Sequence, residues 1–89
     1  MYLGGKMYLE NIYKFSENKG IQELYILPVH KLLDQKKVLN NKKAMELFEK
    51  VALNISKQYF KIENIRFCIN PKLIKNLATK LFTDYKKIC

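Results

Sequence analysis

The stretch that most constrains this chain is Glu63 to Phe82, ENIRFCINPKLIKNLATKLF, because its apolar residues change period midway. Ile65, Phe67 and Ile69 alternate, Asn70-Pro71 interrupts, and Ile74, Leu77, Leu81 and Tyr85 follow at helical spacing. Period-two alternation predicts a half-buried strand, and spacing near 3.6 an amphipathic helix. Proline fits the first turn of a helix and not its middle. The stretch therefore predicts a buried strand that runs directly into a final helix, Lys72 to Lys87. It contains no catalytic signature.

The rest of the chain is read against that pair. Met1 to Lys6, with Gly4-Gly5, reads as a loose lead-in. Tyr8, Leu9, Ile12, Tyr13 and Phe15 recur at helical intervals, which predicts a helix from Met7 to Lys19 stopped by Gly20 in a left-handed cap, with a strand as the alternative. Leu24 to Leu27 is a continuous apolar run ended by Pro28, so Ile21 to Val29 reads as a buried strand. His30 to Leu39 is open between a short helix and a loop with a small strand at Lys37-Val38-Leu39. Asn40-Asn41 supplies a natural cap, after which Ala44, Leu47, Phe48, Val51 and Ile55 line one helical face, predicting a helix to about Gln58. The expected fold is one α/β (α+β) domain over 7–89, with helices packed on one face of a short two- or three-stranded sheet. Leu47, Phe48, Val51, Ile65, Phe67, Leu77 and Leu81 are the expected core.

Charge says most about partners. A formal net charge of +9 on 89 residues repels itself in isolation, and a polyanion relieves that repulsion while releasing counterions. Sixteen of the seventeen basic residues are lysine and Arg66 is the only arginine. Lysine is a point charge suited to phosphates, whereas arginine forks onto base edges, so the balance favours sequence-blind backbone contact. Lys36, Lys37, Lys42 and Lys43 cluster ahead of a helix N-terminus, whose free N–H groups would add to a phosphate site. Lys72 and Lys75 open the final helix and extend the candidate set, with Lys80, Lys86 and Lys87 further along it. The plain alternative is a solvated charged loop and helix face.

Other chemistry finds little footing. His30 is the only histidine and has no nucleophile and orienting acid arranged beside it in sequence, so a core packing role or a surface position is expected rather than a catalytic one. Cys68 and Cys89 lack metal-ligand spacing and read as free thiols; no metal or cofactor is expected. The spacing of the six tyrosines favours packing over base stacking. No apolar run is long enough to span a bilayer, and the first residues carry no Arg-rich presequence.

Three segments together resemble the type II KH domain of the ribosomal protein S-three family. Gly20-Ile21-Gln22-Glu23-Leu24-Tyr25-Ile26 resembles its Gly-Ile-Ser-x-Ile-x-Ile joint, and Asn41-Lys42-Lys43-Ala44 its Gly-Lys-Lys-Gly loop. Asn70-Pro71-Lys72-Leu73, followed by Leu77 and Ala78, resembles its Asn-Pro-Glu-Leu junction and helix. The resemblance covers residues 8 to 85. It implies a structural constituent of the small ribosomal subunit, with rRNA and neighbouring ribosomal proteins as partners. It also implies location in the ribosome, mitochondrial given the Lys, Asn and Ile bias of an AT-rich organellar genome, otherwise cytoplasmic, and no enzymatic activity. Because the chain stops where that family begins a second domain, a separate chain completing a split protein is a further implied partner. Both loop glycines are absent, at Asn41 and Ala44, which removes the close backbone approach that glycine allows.

Two alternatives stand beside it. Leu24-Tyr25-Ile26-Leu27-Pro28 also resembles the strand before the acetyl-CoA loop of GNAT acetyltransferases, but no glycine lies between Pro28 and Met45 to hold a pyrophosphate. A free basic nucleic-acid-binding protein keeps the charge argument without the ribosome.

Overall fold

The computed structural model describes residues 5–35 and 40–88, with side chains over 8–35 and 40–87. Every regular element in that range is helical, so the expected α/β domain with its two- or three-stranded sheet is overturned. The order is α1 (Gly5–Ser16), α2 (Lys19–Ile21), a π-helical turn (Gln22–Ile26), α3 (Leu27–Asp34), α4 (Asn41–Ile62) and α5 (Pro71–Ile88). The lead-in residues 1–4 and the small strand considered at Lys37-Val38-Leu39 lie outside the described residues.

The segment read as a strand, Ile21 to Val29, is helical because its burial follows the helical interval. Ile26 and Val29 are buried, whereas Leu24 is 65% and Leu27 47% exposed. A buried strand would have hidden the whole apolar run. Pro28 does not end the segment. It has no N–H to offer the carbonyl of Leu24, and its ring would crowd that carbonyl in a regular helix. The backbone widens just before it, with the Leu27 N–H donating to the Gln22 carbonyl five residues back, so Pro28 sits in the first turn of α3.

Gly20 is not a helix stop either, and no described glycine has a positive φ. α1 closes with the Glu17 and Asn18 N–H groups donating to the Lys14 and Phe15 carbonyls at 3.1 and 3.0 Å. Asn18 then caps α2, its Oδ1 accepting from the Gly20 N–H at 2.9 Å. The left-handed residue is Asn64, with φ of 56°, just past the end of α4. There the Asn64 N–H donates to the Lys61 carbonyl at 3.2 Å and the Ile65 N–H to the Phe60 carbonyl at 2.9 Å, the paired bonds of a Schellman cap. α4 runs a full turn beyond the expected Gln58 because Phe60, only 5% exposed, still has a core to enter.

Ile65 to Ile69, the other predicted strand, is neither helix nor strand. Phe67 is half-buried, its ring stacked on Phe60 at 4.9 Å, but Ile65 is 39% exposed and does not join the core as expected. Strand pairing is reciprocal, and with Ile21 to Val29 wound into helix no described segment is left to pair with it.

The core forms between α4 and α5. Phe48 stacks on Phe82 at 5.4 Å and lies 6.3 Å from Tyr85, while Phe60 shares a pocket with Asn70 and Leu73, so the two helices run antiparallel. Ala44, Ala52 and Ala78 are buried at this seam, where small side chains let the backbones approach. Val51, Leu77 and Leu81 are buried as the spacing predicts, and Leu47 packs at the edge, half-buried. α1 lies over the pair. Ile12 is fully buried, Tyr8 meets the edge of Phe60 at 4.9 Å, and the Tyr13 hydroxyl donates to Asp84 of α5.

Candidate functional site

Each candidate lysine among the described residues is placed by a helix end. Asn40 caps α4: its Oδ1 accepts from the Lys43 N–H at 2.8 Å and its carbonyl from the Ala44 N–H at 3.1 Å. Lys42 and Lys43 are thereby fixed in the first turn, exposed. Asn70 does the same for α5, with Oδ1 accepting from the Lys72 and Leu73 N–H groups at 3.0 and 3.3 Å and its carbonyl from Ile74 at 3.1 Å. Lys72 and Lys75 are exposed. Lys36 and Lys37 lie outside the described residues.

These caps change what the helix ends offer an anion. At α5 the first residue is Pro71, which has no N–H, and the next three amides are held by Asn70, so no first-turn donor is left for a phosphate. At α4 the Asn40 cap holds the Lys43 and Ala44 amides, and the Asn41 and Lys42 amides have no partner among the described residues. The caps therefore withdraw the Lys43 and Ala44 amides at α4 and the Lys72, Leu73 and Ile74 amides at α5 from an anion.

The candidate lysines do not form one patch. Because α4 and α5 are antiparallel, Lys42 and Lys43 lie toward one end of the pair and Lys72 toward the other. Lys75 borders a groove of about 480 Å³ that also holds Glu46, Glu49 and Lys50, and those carboxylates oppose phosphate there. The same antiparallel arrangement brings Lys86 and Lys87, in the last turn of α5, to the end that carries Lys42 and Lys43. The sequence leaves open whether the lysines of the last helix share a side with Lys42 and Lys43; that depends on the orientation of α5, which takes Lys72 to the other end and brings Lys86 and Lys87 there. Their bland role is to offset the negative end of the helix dipole, and Lys86 also rests its ammonium 4.6 Å above the Phe82 ring. Asp34 accepts from Tyr85 at 2.8 Å and Asp84 from Tyr13, while Glu46 lines a recess with Lys43 and Lys50 and offsets part of the charge there.

A second constellation lies beside it. Tyr13, Glu17, Gln22, His30 and Asp84 line a recess of about 150 Å³. The Asp84 hydrogen bond, with burial next, pushes the Tyr13 phenol up to about 12. Burial against Phe48 and Tyr85, at 6.1 and 4.9 Å between rings, holds His30 below its ordinary value despite the opposing pull of Asp34 and Asp84. Gln22 donates to the Ser16 carbonyl at 2.8 Å, and Ser16 to that of Tyr13. These bonds tie α1 to the π turn and α5, and the expected packing role of His30 agrees with its ring contacts.

Among the described residues the tyrosines give no stacking platform. Tyr8 and Tyr59 meet the edges of Phe60 and Phe15, and Tyr13, Tyr25 and Tyr85 are half-buried. Among the described residues no three of His, Cys, Asp and Glu converge as a metal site would require, and no helix is long and apolar enough to cross a membrane. Cys68 is exposed; Cys89 lies outside the described residues. Comparison with known proteins gave no match: no family model, no curated protein and no solved structure matches this chain.

Proposed function

We propose that this chain is a small helical nucleic-acid-binding module that holds the phosphate backbone through the lysines at the α4 N-terminal and α5 C-terminal end. The observation that carries this reading is the gathering of exposed Lys42, Lys43, Lys86 and Lys87 at one end of an antiparallel pair, in a chain of formal charge +9. Four point charges at one end of the pair suit the phosphates of one strand, and each contact releases counterions. The packed tyrosines and the single arginine leave little with which to read bases, so binding is sequence-blind.

The KH resemblance no longer supports a particular place in the ribosome, because that domain is built on a sheet and the segments that carried the likeness are helical or irregular here. rRNA stays within the proposal as one single-stranded or helical polyanion among others. The acetyltransferase alternative loses its footing the same way, since Leu24 to Pro28 is not a strand.

The test is anisotropy titration of labelled single-stranded RNA and DNA of several sequences at low salt. Wild type is expected to bind all of them with similar affinity. Charge reversal at Lys42 and Lys43 should weaken binding far more than reversal at Lys72 and Lys75. Equal loss from both pairs would refute the placement, and absence of binding would refute the function.

A further inference from the structure

The exposed part of the 64–70 connector carries a second surface. Residues 65–70 are the one described run that is neither helix nor turn. Among the described residues, the backbone groups of Arg66, Phe67, Cys68 and Ile69 make no hydrogen bond to protein. Its side chains nonetheless follow the strand period, with β-branched or aromatic residues at Ile65, Phe67 and Ile69. Exposed apolar area gathers here too: Ile62 and Ile69 are each 63% exposed and Ile65 39%. A row of backbone donors and acceptors with no partner among the described residues, beside exposed isoleucines, is a template for strand addition.

We infer that this segment pairs with the same segment of a second copy, as a two-stranded antiparallel ribbon across a two-fold axis. Two observations select a second copy as the occupant. First, the segment is self-complementary: pairing centred on Phe67 sets Ile65 opposite the partner's Ile69 and Arg66 opposite the partner's Cys68, so no residue faces its own charge. Second, Ile62 to Asn70 contains one acid, Glu63, and one base, Arg66, and is thus a neutral stretch on a chain of +9. Two copies can approach there while the lysine end stays turned to a polyanion. The pairing does not depend on the nucleic-acid reading, but it would give a bivalent binder if both hold.

Two short strands bury little area, so the association is weak and concentration-dependent. Salt screens the repulsion between two cationic chains, so dimerisation should strengthen as salt rises, the reverse of nucleic-acid binding.

The experiment is sedimentation equilibrium of the whole chain from micromolar to millimolar concentration at low and high salt. It is accompanied by the variants Cys68→Pro and Ile69→Lys, both at exposed positions, with circular dichroism to check the helices. Wild type should shift from monomer to dimer, more so at high salt, and both variants should stay monomeric with unchanged helix content. Register is read separately with Arg66→Cys in a Cys89→Ser background, where mild oxidation should give a covalent dimer in which the introduced thiol of one copy is joined to Cys68 of the other. A chain monomeric throughout, a dimer that survives either folded variant, or failure of that cross-link to form would overturn the inference. A complex seen only with an unrelated acidic protein would do the same.

Discussion

Replacing Phe48 by alanine separates the helical packing described here from the sheet that the sequence suggested, when paired with Leu24→Ala. Phe48 is fully buried and its ring touches three others, His30 of α3 and Phe82 and Tyr85 of α5. Truncating a buried phenylalanine costs about 3–5 kcal/mol through lost transfer energy and residual cavity. A domain of this size has on the order of 4–13 kcal/mol of stability, so Phe48→Ala removes at least about a quarter of it and unfolds the chain if it lies at the low end. Leu24 is the contrasting site. In a buried strand it would be a core residue whose truncation costs about 2–5 kcal/mol, whereas at 65% exposure on a helix it should cost within about 0.5 kcal/mol. Urea unfolding followed by circular dichroism measures both. A large cost at Phe48 with near-neutrality at Leu24 is expected; comparable losses at the two sites would refute the helical assignment of the 19–34 segment.

Asn70→Ala should cost about 1–2 kcal/mol in urea unfolding, since it releases two amides of the first turn of α5 at once. His30 is held below its ordinary value by burial, so the unfolded chain binds the proton more readily. Stability is therefore full above about pH 6.5 and declines as pH falls below it; urea midpoints at neutral and mildly acidic pH should show the fall, and His30→Phe should reduce it. Tyr13 is raised to about 12, so folding favours the neutral phenol: its contribution is intact below pH 10 and is lost as pH climbs from 10 toward 12. Ultraviolet titration of phenolate absorbance should show one late-ionising tyrosine that vanishes in Tyr13→Phe.

The two long helices were legible because their apolar residues keep one face over several turns and an asparagine stands at each start. α1 was legible on the same ground, from Tyr8, Leu9, Ile12, Tyr13 and Phe15, whereas the 19–34 segment was not. Leu24 to Leu27 is apolar at every position, and a continuous run has no period to distinguish strand from helix. Pro28 fits the end of a strand as well as the start of a helix, and only a π turn makes the second continuous with what precedes it. Once a strand is read there, the alternation at Ile65 to Ile69 acquires a partner that does not exist; the error at one segment propagates to the other because sheets are non-local. Gly20 suggested a left-handed stop for α1, but α1 closes through the Glu17 and Asn18 N–H groups, Asn18 caps α2, and the left-handed residue is Asn64 past α4, since asparagine both caps and tolerates that region. At the candidate site the lysines themselves were visible in the sequence. Which of them share an end was not, because that depends on α5 returning antiparallel along α4.

The salt dependence of affinity for a single-stranded oligonucleotide tests the central claim most directly. Four lysines on four phosphates predict a slope of log affinity against log salt of about −3, falling to about half in the Lys42→Glu, Lys43→Glu variant. A slope near zero, or one that the variant leaves unchanged, would contradict binding through this end of the molecule.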